Sequence, residues 1–460
     1  MRSPWSRIAA CCTAGILAAG AAACSSSGSG SAADAKGGKV TITVTDMPPT
    51  TQPASRKEFT DRVAAFERAN PDIDIKPTEA VWDAKTFTAR LAGGQLETVF
   101  IVPLTEPQGL IKRGQIADIT DEVKALPNAA QFDSRSLAPG TGADGHIHGL
   151  PTSEYALSLV YNRELFKKAG LDPDNPPKTW DEVRTAAKAI SEKTGLPGYA
   201  QPTTNNTGGW TLTAVTYTYG GVDEKEEGGK QVAAFNDAPM QQALEWLKEL
   251  RWQDDSMGSQ QLRDSAEIQK SFSAGRIGMM IATPSTFDEH ITKYNGDPAI
   301  YGVAALPSGG TPATLLGGKM AVVNPKAGEA ERKAAVKWID YYFLTAKHDP
   351  KEAGARAKAK AADGIPVGTP TVPLYQPAVS APVDQAINEH ATVPLKNFAP
   401  FLAGVKQQKF VTEPSVAAQD LYAALDSAVT AVLTRESADP KAELEKAEKK
   451  AVAALERAQR

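Results

Sequence analysis

The sequence predicts an α/β fold built as two lobes. Residues 39–45, KVTITVT, alternate as a β-branched strand, and the amphipathic segment RKEFTDRVAAFERANP at 56–71 predicts a helix directly after it. ETVFIVP at 97–103 repeats the strand pattern, so strands and helices alternate as they do in α/β proteins. The chain has 460 residues, which is more than one hydrophobic core usually serves, so two lobes are expected.

The segment 144–199 contains a strand followed by two helices. Residues 148–161 alternate as a strand that is apolar on most of both faces. Asn162 is placed to cap a short helix, since its side-chain oxygen can accept from the first free N–H groups. Thr179 and Glu182 have capping-box spacing at the start of a second, amphipathic helix.

The segment DIDIKPTEAVW at 72–82 predicts a further strand that runs into a loop, and polar and aromatic residues follow this strand and the strands at 39–45 and 97–103. In α/β sheets the ligand crevice lies outside the carboxyl ends of the strands. This rule selects four candidate ligand-binding residues, which are Asp46, Trp82, Thr105 and Glu106.

The first 23 residues have the features of a signal peptide. Arg2 and Arg7 give a positive start, residues 8–17 form a short apolar run, and small residues precede Cys24. A cysteine directly after such a site resembles the bacterial lipoprotein signal, in which Cys24 becomes the lipidated first residue. The protein is therefore expected on the extracytoplasmic face of the cell membrane, where the lipid on Cys24 would hold it.

An ordinary secretory peptide with a stray cysteine is the alternative, because Ala21 stands where the lipoprotein motif usually has Leu. Residues 24–38 are rich in Gly, Ser and Ala and predict a flexible tether. The other two cysteines, Cys11 and Cys12, would leave with the signal peptide. The mature chain would then have neither a thiol nucleophile nor a Cys-ligated metal site.

Several ordered motifs resemble the extracellular solute-binding proteins of ABC importers, and most closely their carbohydrate-binding group. They are G-x-I-x-G-L-P, L-x-Y-N-R-x-L-F-x-K-A-G-L and P-P-K-T-W-D-E-V, followed later by SFSAGRIGMMIA and IPV. The resemblance implies a periplasmic-binding-protein-like fold with a hinged central cleft. It also implies a monomer that binds a small solute without a cofactor and delivers it to the transmembrane subunits of an ABC permease.

The resemblance further implies a domain layout in which the chain crosses between lobes more than once. The predicted parts are a signal peptide at 1–23, a tether at 24–38, an N-terminal lobe from 39–150 and 316–345, and a C-terminal lobe from 151–315 and 346–460.

The two segments in which the chain would cross between the lobes supply further candidate residues for the cleft. Ser153 and Glu154 lie in the first, and a carboxylate within an apolar strand is costly unless it is paired or near water. A polar strand edge is the alternative for Glu154. Gly318 lies in the second crossover, where a glycine permits close backbone approach. Lys319 could bond a ligand, although simple exposure is the safer expectation.

A sugar presents hydroxyls at its edges and C–H groups on its faces, which amide side chains and flat aromatic rings match. Asn205, Asn206 and Trp210 fit this description, although core packing is an equal alternative for Trp210. Ser285 stands where the family often has an aromatic residue, so Phe287 is the only candidate ring in that turn.

Three functional classes are open. The favoured one is the binding subunit of a sugar importer; the second is the same fold with a glycerophosphodiester, a polyamine or an anion as ligand. The cleft segments contain almost no Arg, which favours a neutral ligand. The third is an enzyme, for instance a secreted hydrolase. The HExxH and GxSxG motifs of metalloproteases and esterases are absent, whereas the carboxylates are abundant enough to supply the acid pair of a glycoside hydrolase; no catalytic residue is predicted. His146 and His148 could form a metal pair but lack a third ligand. A net charge of −4 argues against nucleic acid.

Overall fold

The computed structural model describes residues 38–459. The predicted signal peptide, Cys24 and all but the last residue of the tether lie outside the described residues. Within them the fold is mixed α/β, as the sequence predicts. Over the same range, none of the helices combines the length and the apolar character that crossing a bilayer requires.

The described strands form two main sheets and one hairpin. In chain order they are β1 Val40–Val44, β2 Ile73–Pro77, β3 Val99–Pro103, β4 Gly149–Ala156, β5 Ser158–Asn162, β6 Glu224–Glu227, β7 Lys230–Ala233, β8 Met279–Ala282, β9 Tyr301–Ala305, β10 Ala313–Val323 and β11 Lys409–Thr412. The larger sheet has the order β11-β10-β3-β1-β2, with β4 also paired to β10; the smaller has the order β8-β5-β9. β1 is parallel to β2 and β3, whereas β4 and β3 are antiparallel to β10.

The helices cover the sheets and fill the second half of the chain. They are α1 Pro53–Ala69, α2 Ala84–Ala92, α3 Pro107–Lys112, α4 Thr120–Lys124, α5 Ser134–Leu137, α6 Arg163–Lys168, α7 Trp180–Thr194, α8 Thr207–Thr218, α9 Ala238–Trp252, α10 Ser265–Ser273, α11 Thr286–Thr292, α12 Glu329–Ile339, α13 Thr345–His348, α14 Pro350–Ala362, α15 Pro377–Asn388, α16 Ala399–Gly404, α17 Ala418–Thr434 and α18 Pro440–Ala458. A π-helical turn, Asp340–Leu344, joins α12 to α13.

The predicted caps begin α6 and α7. The Asn162 side chain accepts from two backbone N–H groups of α6, each at 3.0 Å. Thr179 Oγ1 accepts from the Glu182 N–H at 3.2 Å, and Glu182 Oε2 accepts from the Thr179 N–H at 3.3 Å. These bonds satisfy N–H groups that have no partner within the helix.

The strand predicted at 148–161 is two strands that belong to different sheets. β4 pairs with β10 in the larger sheet, and after Leu157 the chain continues as β5 at the centre of the smaller sheet. Leu157 is fully buried, so the apolar pattern runs through the break without interruption. The β4–β10 ribbon therefore carries the chain from one sheet to the other.

Each main sheet has its own apolar cluster. Ile42, Phe59 and Trp338 lie in the cluster of the larger sheet, whereas Leu159 and Trp180 lie in a cluster around the smaller one. β10 contributes to both clusters. Its first half packs in the cluster around the smaller sheet, and its second half packs in the cluster of the larger sheet.

The lobe boundaries stay a prediction. Leu374 and Tyr375, which the predicted layout assigns to the C-terminal lobe, pack in the cluster of the larger sheet. The Tyr375 ring stacks on Phe132 with centroids 4.3 Å apart.

Candidate functional site

The carboxyl ends of β1, β2 and β3 meet beside the middle of β10 at one edge of the larger sheet. Asp46 follows β1 in a left-handed conformation with φ of 64°, and its N–H donates to Ala80 O at 3.0 Å, just beyond β2. The N–H of Leu104, just beyond β3, donates to Gly318 O of β10 at 3.1 Å. The strand-end rule therefore gathers the predicted positions around Asp46 and Thr105.

Two carboxylates at this edge are partly withdrawn from water. Burial raises the pKa of Asp46, while a hydrogen bond from Thr45 Oγ1 at 3.0 Å and the charge of Lys319 oppose the rise. Burial likewise raises the pKa of Glu106, opposed by the hydroxyl of Thr105 and by a nearby Arg. Both groups can accept hydrogen bonds, and Asp46 lies near the exposed ammonium of Lys319.

One face of the β4–β10 ribbon is open to solvent. Ser153 lies opposite Lys319 and Tyr155 lies opposite Gly317, so these four residues share a face. Ser153 and Lys319 are exposed and Tyr155 is half-buried. A Cβ placed on Gly317 would lie 2.4 Å from the Tyr155 ring, which shows that the ring covers this glycine.

Glu154 lies on the opposite face of β4. Its side chain is fully buried, and one carboxylate oxygen lies 3.4 Å from Nη2 of Arg135. Burial raises the pKa of Glu154 to about 7, and the charge of Arg135 opposes that rise. The expectation that Glu154 faces the cleft does not agree with this placement, because alternation along a strand puts it behind Ser153 and Tyr155.

Trp210 lies in the first turn of α8. Its ring is half-buried, and its Nε1–H donates to Glu413 Oε1 at 2.8 Å. The ring stands edge-on to Tyr155, with centroids 6.3 Å apart and an interplanar angle of 78°. Trp210 and Tyr155 thus place two rings at the end of the open face of the ribbon.

Glu413 is a site residue that the sequence did not reveal. It directly follows β11, so the strand-end rule would select it, but this four-residue polar strand has too weak a pattern to be predicted. Tyr422 Oη also bonds to its Oε1, at 3.5 Å. Burial raises the pKa of Glu413 to about 7, against the effect of the hydrogen bonds from Trp210 and Tyr422.

Asn205 and Asn206 shape the start of α8. Both have left-handed backbones, with φ of 57° and 65°. The Asn205 amide donates to Asp264 Oδ2 at 2.8 Å, and the Asn206 amide donates to Gln419 Oε1 at 3.0 Å. Their donors are therefore already engaged, and a ligand would have to compete for them.

The two other aromatic candidates pack in apolar clusters. Trp82 is half-buried and lies against Phe87 and Phe100, with centroid distances of 4.7 and 6.4 Å. Phe287 is 2% exposed and packs against Tyr301, so it offers no ring face to a solute. The predicted shelf at Phe287 therefore does not fit this structure, because that turn continues directly into α11 and points the ring inward.

The HIH pattern does not form a metal pair. His146 Nδ1 lies 2.5 Å from Asp118 Oδ2, and this carboxylate raises the pKa of His146. His148 Nδ1 has no hydrogen-bond partner among the described residues. Across residues 38–459, no group of three or more His, Cys, Asp and Glu side chains is arranged to hold a metal ion.

This chain is similar in sequence to a known protein family and to a named binding protein. The sequence profile of a family described as bacterial extracellular solute-binding protein matches residues 48–347. A protein of Brucella abortus (strain 2308) that is named a binding protein is 27% identical over 321 residues, which is 68% of this chain and 74% of that protein.

Solved structures share the fold at low sequence identity. The cyclic alpha-maltosyl-1,6-maltose binding protein of Arthrobacter globiformis superposes with a TM-score of 0.69 at 22% identity, over 91% of this chain and 100% of that chain. A protein of Mycobacterium tuberculosis in complex with glycerophosphocholine gives a TM-score of 0.68 at 16% identity, over the same shares of both chains. These likenesses show the architecture and leave the ligand open.

Proposed function

Since the chain belongs to the bacterial extracellular solute-binding proteins, the binding components of ABC import, we propose that it captures a sugar or oligosaccharide outside the cell and delivers it to the membrane permease. The observation that carries the proposal is the open face of the β4–β10 ribbon. Hydrogen-bonding groups and two partly exposed rings collect there, beside the ends of the strands of the larger sheet. This combination matches a polyhydroxylated solute.

The proposed mechanism is lobe closure. In this mechanism one lobe contains the larger sheet and the other the smaller, and the chain passes between them where the β4–β10 ribbon leads into β5. Bending at such a crossover would bring the two walls together around the solute. Closure would remove water from the polar groups on both walls, so a solute that leaves any of them unpaired would bind weakly.

The proposed contacts come from both walls of the cleft. Asp46 and Glu106 are acceptors for sugar hydroxyls at the strand ends, and Ser153 and Lys319 offer donors on the ribbon face. Trp210 supplies a ring for the apolar face of a sugar. Gly318 keeps the backbone of the two strands close, since an added Cβ would lie 2.3 Å from Ser153 O.

We further propose that Cys24 carries lipid and holds the protein, as a monomer, on the outer face of the cell membrane. Membranes from cells that express the chain, labelled with a palmitate analogue, should contain the labelled protein. The Cys24→Ala variant should lose both the label and the membrane association. Equal labelling of the variant would show that the anchor lies elsewhere or that none exists.

The experiment that tests the ligand class is a thermal-shift screen of the full chain in mild detergent, against mono- and oligosaccharides, glycerophosphodiesters and polyamines. A solute that binds only the folded protein raises the melting temperature by mass action. A shift with a sugar, lost in Trp210→Ala, supports the proposal. A shift with a charged non-sugar alone would keep the transport role and replace the substrate.

The same samples separate a binding protein from a glycoside hydrolase. An oligosaccharide that binds should be recovered intact after prolonged incubation with the chain. Release of shorter sugars, in proportion to protein concentration, would contradict the binding role.

A further inference from the structure

Glu413 is a half-buried carboxylate without a cationic partner among the described residues. Both hydrogen bonds to it come from neutral donors, Trp210 and Tyr422, and both end on Oε1. No lysine, arginine or histidine among residues 38–459 forms an ion pair with it, and its Oε2 atom receives no hydrogen bond there. A partly buried carboxylate in this state lacks the counter-charge that would offset its lost hydration.

Two more carboxyl groups, those of Asp223 and Glu224, lie near Glu413. Asp223 is 1% exposed, and its Oδ1 has no hydrogen-bond partner. Glu224 bonds the hydroxyl of Ser415, two residues after Glu413, at 2.7 Å. The charges of Asp223, Glu413 and Glu224 all raise the pKa of the buried Tyr217 hydroxyl, so the three carboxyl groups lie near that hydroxyl. The charge of Lys112 opposes the rise that burial causes in the pKa of Glu224.

Aromatic rings complete the surroundings of the Glu413 carboxylate. Trp210 and Tyr155 stand nearly perpendicular and are both partly exposed, which forms two sides of a box. The faces of aromatic rings attract cations, and tryptophan does so most strongly. The Glu413 carboxylate lies at the edge of the Trp210 ring, 2.8 Å from its Nε1. A carboxylate beside two such rings is a combination that recognises an ammonium group.

We propose that the transported solute carries an ammonium group, bound between the Trp210 and Tyr155 rings and against the carboxylate of Glu413. This inference rests on the proposed function and names the class of solute more narrowly. A sugar hydroxyl would satisfy the hydrogen-bonding capacity of Oε2, whereas an ammonium group would also supply the counter-charge that the Glu413 carboxylate lacks. The ammonium could belong to an amino sugar or to a choline or ethanolamine ester, which share this chemistry.

Matched pairs of solutes test the proposal by isothermal titration of the full chain in mild detergent. The pairs are glucosamine with glucose, and glycerophosphocholine with glycerol 3-phosphate. We expect at least one ammonium-bearing member to bind tenfold or more tightly than its partner, and the responding pair identifies the source of the ammonium. Binding of a neutral sugar as tightly as its ammonium counterpart would overturn the proposal and leave the sugar-import function standing. If no member of either pair binds, the ammonium proposal is also overturned. A sugar that binds in the wider thermal-shift screen would then still support the transport role.

Two variants assign the effect to this site. Glu413→Gln keeps the shape and the acceptor for Trp210 but removes the charge, so ammonium binding should fall tenfold or more while neutral-sugar binding changes less than threefold. Trp210→Phe keeps a ring and removes the donor, so it should retain the preference for ammonium. Glu329→Gln, an exposed site on α12, is the charge-matched control and should bind like the wild type. Equal loss of neutral and ammonium ligands in Glu413→Gln would mean that the residue only supports the fold.

Discussion

Nη2 of Arg135 lies 3.4 Å from the buried carboxylate of Glu154, and the same nitrogen donates to Pro373 O at 3.0 Å. The guanidinium also lies over the ring of Phe410, 4.6 Å from its centroid. One side chain thus joins α5, β4, β11 and the segment that precedes α15. Glu154 sits on the hidden face of the crossover ribbon, so its charge bears on the stability of the ribbon more directly than on the solute.

Stability should fall as the pH rises from about 5 to about 7. Burial raises the pKa of Glu154, Asp223 and Glu413 to about 7 each, whereas the unfolded chain has ordinary values near 4.5, 3.8 and 4.5. Between those limits the folded protein holds protons that the unfolded chain has lost, so unfolding becomes easier as the pH rises. Each such group can contribute up to about 1.4 kcal/mol per pH unit.

Urea unfolding at pH 5, 6, 7 and 8 measures this trend, which should level off above pH 8. His290 opposes it below pH 6.5, because burial lowers its pKa and the unfolded chain then binds the additional proton. Glu154→Gln should reduce the slope of the unfolding free energy against pH by about the contribution of one carboxyl group, because glutamine does not titrate. An unchanged slope in that variant would show that Glu154 is ionised throughout the range.

Gly317→Ala should weaken solute binding more than it weakens the fold. The new Cβ would lie 2.4 Å from the Tyr155 ring, which must then leave its place on the open face of the ribbon. We expect a tenfold or greater loss of affinity in titration, with a loss of about 1–2 kcal/mol in unfolding free energy from overpacking.

Gly354→Ala, in the interior of α14, is the matched control. Its nearest neighbours would lie 3.6 Å from the new Cβ, so the change should leave binding intact and gain about 0.5–1 kcal/mol in stability from helix propensity. If Gly317→Ala bound as tightly as this control, the ring of Tyr155 would have no part in recognition.

Thr179→Ala should cost about 1 kcal/mol of unfolding free energy, the usual effect of losing an N-cap. The substitution removes the acceptor for the Glu182 N–H at the start of α7. Thr179→Ser, which keeps the hydroxyl, should restore most of the loss in the same urea titration. An equal loss in both variants would mean that the methyl group matters more than the cap.

The sequence patterns that predicted elements correctly act over a few residues. The first strands and the caps at Asn162 and Thr179 depend on neighbours within one turn or one strand, so periodicity and cap spacing suffice to find them. The change from β4 to β5 at Leu157 is not marked by any change in hydrophobic periodicity, because the residues on both sides of Leu157 are buried. Only the pairing with β10, more than a hundred residues later, separates the two strands.

The candidate site depended on contacts between distant segments. α8 has four fully buried threonines and two glycines, a composition typical of a loop, and its start is held by Asp426, which lies 217 residues from Gly209. Trp210 and Glu413 are separated by 203 residues, so neither could identify the other in the sequence. The strand-end rule still placed Asp46 and Thr105 correctly at one edge, because it depends on the sheet and not on individual partners.

Asp426 should prove necessary for both the fold and the site. Its two carboxylate oxygens accept from the N–H groups of Asn206 and Gly209 at 2.7 Å each, which caps α8 from a different helix. Asp426→Ala leaves these buried donors without an acceptor, so we expect a loss of about 2–3 kcal/mol in urea unfolding. The start of α8 would also move, and Trp210 with it.

Solute affinity in Asp426→Ala should therefore fall at least tenfold even at temperatures where the variant is fully folded. Asp426→Asn keeps one acceptor oxygen. Its unfolding free energy and its solute affinity should therefore lie between those of Asp426→Ala and the wild type. Ser427→Ala, at an exposed neighbouring position on α17, is the control and should change stability by less than about 0.5 kcal/mol. Normal affinity in a folded Asp426→Ala protein would separate the capping of α8 from the placement of Trp210, and the ring would then owe its position to Glu413.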